Sequence, residues 1–471
     1  MNRRTFLKRV AIATAALKLP DTVFGAEQMK TDKEKPIATA AQDKPNFIII
    51  LTDDQGYQDL GCYGSPLICT PNLDKMAAEG MKFTDFYSTA PICSPSRASL
   101  MTGCYPLRVG IVSVLMPNDK IGLNPAELTI PKLLKSEGYS TACIGKWHLG
   151  DGPELSPLKH GFDYFFGLPF SNDDDHGAYG PEFPKLVLND KTIEVPADRT
   201  MLTRKCTDEA LRFIEYNKNN PFFLYLSHPM PHVKLGTSPQ FKGRSKRGLY
   251  GDTIEEIDAS TGEIFGLLKK SWLDEKTLVI FASDNGPWLQ YGEDGGSALP
   301  LRGGKFGTFE GGVRVPCLMR WPGKIPAGAV CDELATMMDF LPTIAKLAGT
   351  EITEKNVIDG KDIWPLMSGQ VGAKSPYEAF YYYWLGNLEA VRSGQWKLHL
   401  PRRERFPWRF KDQPENQSLL WPMQLYDLKN DIAEKNNIAD QHPDVVKCIA
   451  TVAEQFDREL KAHQRPLKRI Q

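Results

Sequence analysis

Residues 46–54 read NFIIILTDD, an apolar run followed directly by two aspartates. The run is continuous rather than alternating, which is typical of a strand that is covered on both faces. We therefore expect a buried strand from Asn46 to Thr52. Similar runs recur at Tyr139–Ile144, Phe222–Ser227 and Thr277–Ser283 and predict further strands of the same sheet.

Segments with a helical pattern follow or separate these runs. They lie at Leu128–Ser136, Thr200–Lys218, Asp252–Lys270 and Asp339–Leu347. Alternating strands and helices predict an α/β fold, in which a large, mostly parallel sheet is sandwiched by helices. Ligands of such sheets bind beyond the carboxyl ends of the strands, so we expect the functional site at that edge.

The pattern changes near residue 370, where the predicted strands become shorter. These strands are expected at Ala379–Trp384, Glu389–Arg392, Trp396–Leu400 and Gln424–Leu428, and an amphipathic helix at Asp444–Ala462. The pattern indicates a smaller C-terminal α+β subdomain with a short antiparallel sheet. We therefore expect a catalytic domain over residues 45–370 and a subdomain over residues 371–471.

The amino-terminal residues have the composition of an export signal. Residues 1–26 contain Arg3 and Arg4, then a short apolar run and small residues, in the order of a twin-arginine signal peptide. Residues 27–44 are polar and predict a linker. No later run is long enough to span a membrane. We expect a folded protein exported to a bacterial periplasm or beyond, without a membrane span.

Composition excludes several classes of protein. The chain has 471 residues, of which 41% are hydrophobic and 24% charged, so it can bury a large core. Its net charge of -1 provides no general attraction to nucleic acid, so an anion must bind at a local site. Nine cysteines are present without any C-x-x-C pair, which argues against zinc-type spacing.

Oxygen-bearing side chains follow two of the predicted strands. Asp53 and Asp54 come directly after the first strand, and Asp284 and Asn285 directly after the fourth. Hard oxygen ligands suit Ca²⁺ and, as a second choice, Mg²⁺. Taken alone, the first pair could be a helix cap and the second a turn. Their equivalent positions at two strand ends instead predict a cation site.

Two further segments carry reactive groups. Residues 91–103 read PICSPSRASLMTG, which predicts Cys93 at a helix N-terminus with Arg97 nearby, an arrangement that favours an anion. Residues 138–150 read GYSTACIGKWHLG, a strand that ends in Lys146 and His148. Side chains two apart on an extended segment point the same way, so these two can face one ligand. The alternative for Cys93 is a buried cysteine before an ordinary helix.

These segments resemble the formylglycine-dependent type I sulfatases of the alkaline phosphatase superfamily, and especially the arylsulfatase A and N-acetylgalactosamine-6-sulfatase branch. Cys93 to Arg97 matches the modification motif C-x-P-S-R, and Gly138 to His148 matches a second family signature. The likeness continues at residues 167–171, 228–232, 283–286, 302–312 and 426–434. It covers nearly the whole chain after the predicted signal and linker.

The resemblance implies a role for each matched residue. Asp53, Asp54, Asp284 and Asn285 resemble the ligands of one Ca²⁺, completed by the modified Cys93 and the substrate sulfate. Arg97 and Lys146 resemble residues that hold the formylglycine, and His148 the base that acts on it. Ser171, His232 and Lys305 resemble residues that bind the sulfate, with Lys146, and act on the leaving oxygen. The family usually shows H-x-P at this point, whereas Val233 and Lys234 follow His232 here. His228 is therefore an alternative candidate for the role of His232.

The implied activity is that of a sulfuric ester hydrolase, which releases inorganic sulfate, with a sulfated carbohydrate as the preferred substrate class. Cys93 would be converted to formylglycine (3-oxoalanine) by a cytoplasmic maturation enzyme before export. A phosphoester hydrolase of the same superfamily is a competing interpretation, although the sequence shows no ligands for a second metal. A second competing interpretation is a non-catalytic protein that binds sulfated glycans and whose Cys93 stays unmodified.

The segment from Pro401 to Pro422 is a candidate for substrate selection. It interleaves basic and aromatic side chains that can pair with sulfates and stack on sugars, namely Arg402, Arg403, Arg405, Arg409 and Lys411 with Phe406, Trp408 and Phe410. A solvated basic loop with a few anchoring aromatics is the alternative.

Overall fold

The computed structural model describes residues 44–173, 180, 183–353, 357–403 and 420–470. The predicted signal (1–26), nearly all of the linker (27–44) and residues 404–419 of the candidate selection segment lie outside the described residues. The α-helices are α1 (Pro71–Glu79), α2 (Cys93–Thr102), α3 (Ile130–Ser136), α4 (Leu202–Tyr216), α5 (Gly248–Lys270), α6 (Glu310–Val313), α7 (Phe340–Leu347), α8 (Trp364–Met367) and α9 (Pro443–Ala462). Helices α3, α4, α5, α7 and α9 confirm the five that the sequence predicts, with ends that differ by a few residues.

The strands in chain order are β1 (Asn46–Thr52), β2 (Met81–Phe83), β3 (Phe86–Tyr87), β4 (Ile121–Gly122), β5 (Ser140–Lys146), β6 (Tyr164–Leu168), β7 (Leu186–Leu188), β8 (Lys191–Glu194), β9 (Phe222–Ser227), β10 (Thr277–Ser283), β11 (Cys317–Arg320), β12 (Ala329–Cys331), β13 (Ala335–Thr336), β14 (Phe380–Trp384), β15 (Asn387–Ser393), β16 (Trp396–His399), β17 (Arg402–Arg403), β18 (Leu420–Trp421), β19 (Gln424–Asp427) and β20 (Lys468–Arg469). Strands β1, β9 and β10 have the predicted bounds.

The main sheet has the strand order β12-β2-β11-β10-β1-β9-β5-β6-β7-β8. Its centre, from β10 to β6, is parallel throughout. The pairs β10–β11, β11–β2, β6–β7 and β7–β8 are antiparallel. The α/β prediction is confirmed, and the flanking strands β2, β7, β8, β11 and β12 are only three or four residues long.

Strand β1 separates the two large apolar cores of the molecule. Phe47, Ile49 and Leu51 lie in the core that also contains residues of α2, α3 and α7. Ile48 and Ile50 lie in the other core, with residues of α1, α4 and α5. Because successive side chains of a strand point to opposite faces, both faces of β1 must be apolar, which explains its continuous hydrophobic run.

The C-terminal region forms the short antiparallel sheet β14-β15-β16-β19 that the sequence predicts. Helix α9 packs against it, and the rings of Tyr381 and Phe456 stack with centroids 3.7 Å apart. From Lys44 onward the described chain forms one compact unit, so this sheet is closely joined to the rest. No helix in the described ranges has the length and apolarity needed to cross a membrane.

Candidate active site

The acidic residues meet because two of the predicted strands are neighbours. Strands β1 and β10 pair in parallel with Thr52 opposite Ser283, which places Asp53 beside Asp284 at the carboxyl edge. The backbone N–H of Asp54 donates to Asp284 Oδ1 at 3.1 Å. The backbone of Asp54 has φ +61°, in the left-handed region, so the chain turns sharply as it leaves the strand.

Arg97 ties helix α2 to three strand ends. Its Nε and Nη2 donate to Asp284 Oδ2 at 3.0 and 2.8 Å. Its Nη1 donates to the carbonyl of Lys146 at 3.1 Å and to Ser227 Oγ at 2.5 Å. The guanidinium is fully buried, and such a charge is stable only when it is paired and fully hydrogen-bonded. Arg97 therefore fixes the amino-terminal turn of α2 over the edge of the sheet.

Cys93 is the first residue of α2, as the sequence predicts. Its Sγ lies 3.6 Å from Asp53 Oδ1, and the side chain is buried. Burial, and then the Asp53 carboxylate, raise the pKa of the Cys93 thiol far above its usual value. The protein groups around Cys93 therefore disfavour the thiolate form of the unmodified side chain.

Two lysines neutralise the first two aspartates. Lys146 Nζ contacts Asp53 Oδ2 and lies 3.2 Å from Ser171 Oγ. Lys305 Nζ donates to Asp54 Oδ2 at 2.7 Å. Burial alone would raise the pKa of Asp53, but Lys146, followed by further cations, holds it well below its usual value. The site thus keeps an ionised carboxylate next to residue 93.

His148 reaches the site by a route that the sequence argument did not foresee. Strand β5 ends at Lys146, and His148 has φ +59°, so strand alternation does not place its side chain. Its Nε2 lies 3.0 Å from the carbonyl of Leu115, which can only accept, so Nε2 carries the proton. Its Nδ1 is buried and has no hydrogen-bond partner in the described chain. Burial, and then Lys146, lower the pKa of His148 far below 6.5, so the ring is neutral with a free Nδ1 lone pair.

The two candidate histidines lie in different places. His232 Nε2 is 3.6 Å from Asp54 Oδ2, and His232 lines the same pocket as Cys93. His228 is buried with its Nε2 3.5 Å from Ser260 Oγ of α5, and it is not among the pocket-lining residues. The structure therefore brings His232, rather than His228, to the aspartates.

The donor set at this edge fits a hard cation. Asp53, Asp54, Cys93 and His232 each offer a ligand atom, all within 4.8 Å of one another. Asn285 Nδ2 donates to Asp54 Oδ1 at 2.7 Å, which leaves Asn285 Oδ1 buried and without a partner among the described residues. A buried, unpaired amide oxygen is costly unless something binds it, and a cation that prefers oxygen ligands would do so.

Asp284 differs from the other predicted ligands because Arg97 and the backbone of Asp54 already occupy its oxygens. Burial and the adjacent Asp53 carboxylate raise the pKa of Asp284 to about 7. A divalent cation beside it would favour the ionised form.

A pocket of about 310 Å³ opens above these groups. Its lining includes predicted residues, namely Cys93, His148, Ser171, His232 and Lys305, together with Val114, Met116, Phe170, Asp173, Val233, Lys234, Trp288, Tyr291 and Phe306. The rings of Trp288 and Phe306 lie 5.1 Å apart, and Lys305 Nζ is 4.3 Å from the Trp288 ring. Sequence reasoning missed this aromatic wall, although Trp288 and Phe306 lie within three residues of Asn285 and Lys305.

Comparison with known families identifies this arrangement. The sulfatase family model matches residues 45–350, which include every residue of the site described above. The chain belongs to the sulfatase family. A second model, described as the C-terminal region of N-sulphoglucosamine sulphohydrolase, matches residues 305–464 of this sulfatase.

Named relatives support the same assignment. The sulfatase is 42% identical over 390 residues to the N-acetylgalactosamine-6-sulfatase of Canis lupus familiaris, covering 77% of this chain and 73% of the relative. It is 40% identical over 375 residues to the arylsulfatase of Hemicentrotus pulcherrimus, covering 76% and 67%. The protein is therefore an enzyme that hydrolyses sulfate esters.

Solved structures show the same fold. The PsFucS1 sulfatase from Pseudoalteromonas sp. superposes with a TM-score of 0.79 at 31% identity, covering 90% of this chain and 92% of that one. Ps i-CgsB, solved in complex with k-i-k-neocarrahexaose, has a TM-score of 0.76 at 31% identity, with coverage of 88% and 93%. Sulfatases generally use a formylglycine and Ca²⁺, which agrees with the cluster of aspartates found here.

Proposed function

We propose that this sulfatase removes sulfate from a sulfated sugar, with residue 93 as its nucleophile after conversion of Cys93 to formylglycine. The observation that carries the proposal is the position of Cys93. It begins α2, lies 3.6 Å from Asp53 Oδ1 and lines the pocket into which Lys305, His148 and His232 project. The match of Cys93 to Arg97 with the C-x-P-S-R motif supports a modified residue there, and the surrounding protein groups disfavour a thiolate at this position.

The residues that would hold one Ca²⁺ are Asp53, Asp54, Asp284 and Asn285, with residue 93 beside them. The unpaired Oδ1 of Asn285 supports this set. When bound, the ion would lower the pKa of a coordinated hydroxyl and offset negative charge on the sulfate. Arg97 would keep Asp284 in place through its two N–H donors.

The remaining charged residues would bind the anionic group. Lys146 and Lys305 are buried and already paired with carboxylates, so their ammonium groups are held in fixed positions. Such preorganised cations stabilise charge that develops as the sulfur–oxygen bond breaks. Ser171 Oγ, 3.2 Å from Lys146 Nζ, adds a hydroxyl that can donate to the sulfate.

The histidines would move the protons. A hydrated formylglycine has two hydroxyls on one carbon, so one can attack sulfur and the other can lose its proton to release sulfate. His148 suits the second step because its Nδ1 is free, and its lowered pKa keeps it neutral. Burial, and then Lys305, lower the pKa of His232, whereas the carboxylate of Asp54, 3.6 Å from Nε2, acts in the opposite direction. We assign His232 the transfer of a proton to the leaving oxygen because it lines the pocket beside Lys305.

Two lines of support favour a sugar substrate. Relatives and structural neighbours include an N-acetylgalactosamine-6-sulfatase and a protein bound to neocarrahexaose, both named for carbohydrates. The pocket wall also presents Trp288 and Tyr291, with centroids 4.8 Å apart. Aromatic faces of this kind pack against the apolar face of a sugar ring.

The proposal is tested by the mass of residue 93 and by the rate of sulfate release. Peptide mass spectrometry of active protein should show formylglycine at position 93, and Cys93→Ala should abolish sulfate release while leaving the circular dichroism spectrum unchanged. A panel of sulfated mono- and disaccharides, scored for inorganic sulfate, would define the substrate. Wild-type turnover by Cys93→Ala would refute the proposal.

The assignment of segments is part of the proposal. Residues 45–370 would be the catalytic domain and residues 371–471 the C-terminal subdomain. Residues 1–26 would direct a folded, already modified enzyme through twin-arginine export to the periplasm or beyond, after a cytoplasmic maturation enzyme has acted on Cys93. Replacing Arg3 and Arg4 with lysine should then retain the protein in the cytoplasm.

A further inference from the structure

Lys305 lies on a glycine-rich loop whose conformation depends on contacts with other segments of the chain. We define the Lys305 loop as Arg302–Gly311. It contains Gly303, Gly304 and Gly307 before its final glycine, and Gly303 has φ +76°. Glycines leave the backbone many accessible conformations, so a loop of this composition does not fix the position of a catalytic side chain by itself.

The loop is partly held by the active-site segments. The N–H of Gly311 donates to the carbonyl of Arg302 at 2.8 Å and closes the loop on itself. The N–H groups of Lys305 and Phe306 donate to the carbonyls of Pro287 and Pro91, both at 2.9 Å. These bonds join the middle of the loop to the segments that carry Asn285 and Cys93.

Both ends of the loop are held by one residue of the C-terminal region, Glu434. Arg302 Nη1 donates to the Glu434 carbonyl at 2.7 Å, and the N–H of Glu310 donates to Glu434 Oε2 at 2.7 Å. Glu434 is completely buried and has φ +49°, a conformation that non-glycine residues adopt at some cost. The surroundings therefore hold Glu434 in one defined position.

The carboxylate of Glu434 is anchored in turn by the C-terminal sheet. Its Oε1 lies 3.0 Å from Lys397 Nζ and 2.8 Å from His399 Nε2, both on β16. Lys397 Nζ also lies 2.9 Å from Glu310 Oε1, so this buried ammonium group pairs with the carboxylates of both Glu434 and Glu310. The His399 ring lies 4.7 Å from that of Phe309, inside the loop. Strand β16 thus contacts both the Glu434 carboxylate and the loop itself.

We infer that Glu434 is a positioning residue for Lys305: it clamps the two ends of the Lys305 loop and so holds the ammonium group against Asp54 in the active site. The inference rests on the proposed role of Lys305. It assigns a catalytic purpose to the C-terminal sheet, which contributes no lining residue to the described pocket.

The experiment is a double-mutant cycle with Glu434→Ala and Lys305→Met, using kcat/KM for 4-nitrophenyl sulfate on formylglycine-containing protein. We expect Glu434→Ala to lower kcat/KM about tenfold in the wild-type background and less than about twofold in the Lys305→Met background, because coupled residues are not additive. Glu434→Gln can keep one oxygen for the Glu310 N–H, whereas its amide nitrogen replaces the oxygen that faces Lys397 and His399, so its kcat/KM should lie between those of Glu434→Ala and wild type.

Asp258→Ala is the matched control. Asp258 is also buried and accepts backbone N–H groups at a helix start, from Asn72 at 3.0 Å and Leu73 at 2.8 Å, and it is not among the residues that line the pocket. It should lower the melting temperature as Glu434→Ala does, yet leave kcat/KM within about twofold of wild type. If Glu434→Ala does not fold, Arg302→Met removes the other clamp bond and replaces it in the cycle.

The outcomes separate the two proposals. Equal losses from Glu434→Ala in both backgrounds, or no loss in either, would overturn the positioning role while leaving Lys305 as a sulfate-binding residue. Wild-type kcat/KM in Lys305→Met would overturn the proposed role of Lys305 and the positioning role together. Loss of activity in Asp258→Ala equal to that in Glu434→Ala would show that the effect is one of stability alone.

Discussion

Replacing Lys305 with methionine should separate catalysis from cation binding. Lys305→Met keeps most of the length of a side chain that packs against Trp288 and Phe306, with Nζ 4.3 and 5.5 Å from their ring centres, and removes the ammonium group with its charge and N–H donors. Loss of one preorganised group of this kind costs about 100- to 1,000-fold in kcat, which is about 2.7–4 kcal/mol. We expect a decrease of this size.

Calcium affinity should not fall with the rate. Lys305 Nζ lies 2.7 Å from Asp54 Oδ2, so it competes with a cation for that carboxylate. Without the ammonium group, Asp54 is more available and electrostatic repulsion of Ca²⁺ is removed. Isothermal titration with Ca²⁺ should therefore show affinity equal to or tighter than wild type, while kcat for 4-nitrophenyl sulfate falls.

Lys82→Met is the control for this variant. Lys82 Nζ likewise lies over an aromatic ring, 5.5 Å from that of Tyr63, and donates to the carbonyl of Cys62 at 3.0 Å, away from the pocket. It should leave kcat and Ca²⁺ affinity near wild type. A parallel loss of rate and Ca²⁺ affinity in Lys305→Met would refute the reasoning, because it would mean that the lysine organises the metal site.

Three further predictions follow from particular contacts. Asp53→Asn should weaken Ca²⁺ binding about tenfold or more and lower kcat with it, whereas Asp258→Asn should not, as titration calorimetry and rates would show. His160→Phe should make the free energy of unfolding less dependent on pH in acid. Burial, and then Lys132, lower the pKa of His160 to about 3, and neither ring nitrogen has a partner among the described residues. The unfolded chain takes up a proton at residue 160 that the folded chain does not bind. His160 alone should therefore lower the free energy of unfolding by up to about 1.4 kcal/mol for each pH unit between pH 6.5 and 3, and urea titration should show that this contribution is missing in the variant. Arg405→Ala with Trp408→Ala should raise KM for a sulfated oligosaccharide and not for 4-nitrophenyl sulfate; equal effects on both would remove the case for residues 401–422 in substrate selection.

Local patterns were sufficient for much of this protein. The run from Asn46 to Thr52 determines a strand buried on both faces, because only a continuous apolar sequence can serve two cores. The same holds for Phe222–Ser227 and Thr277–Ser283, whose bounds the sequence predicts. The motif at Cys93–Arg97 likewise places a cysteine at a helix start, since its proline is suited to the first turn.

Tertiary structure decided which of these groups face one another. Adjacent pairing of β1 and β10 brings Asp53 to Asp284 over a separation of 231 residues, and nothing local to either segment determines strand order. The left-handed backbone at His148, the choice of His232 over His228 and the aromatic wall at Trp288 depend in the same way on packing between distant segments. The bonds from Glu434 to the Lys305 loop are the extreme case, because a hydrogen bond between residues more than 120 positions apart leaves no periodic signal in the sequence. The sequence by itself thus determined the chemistry at each strand end, and the fold determined how those ends assemble into one site.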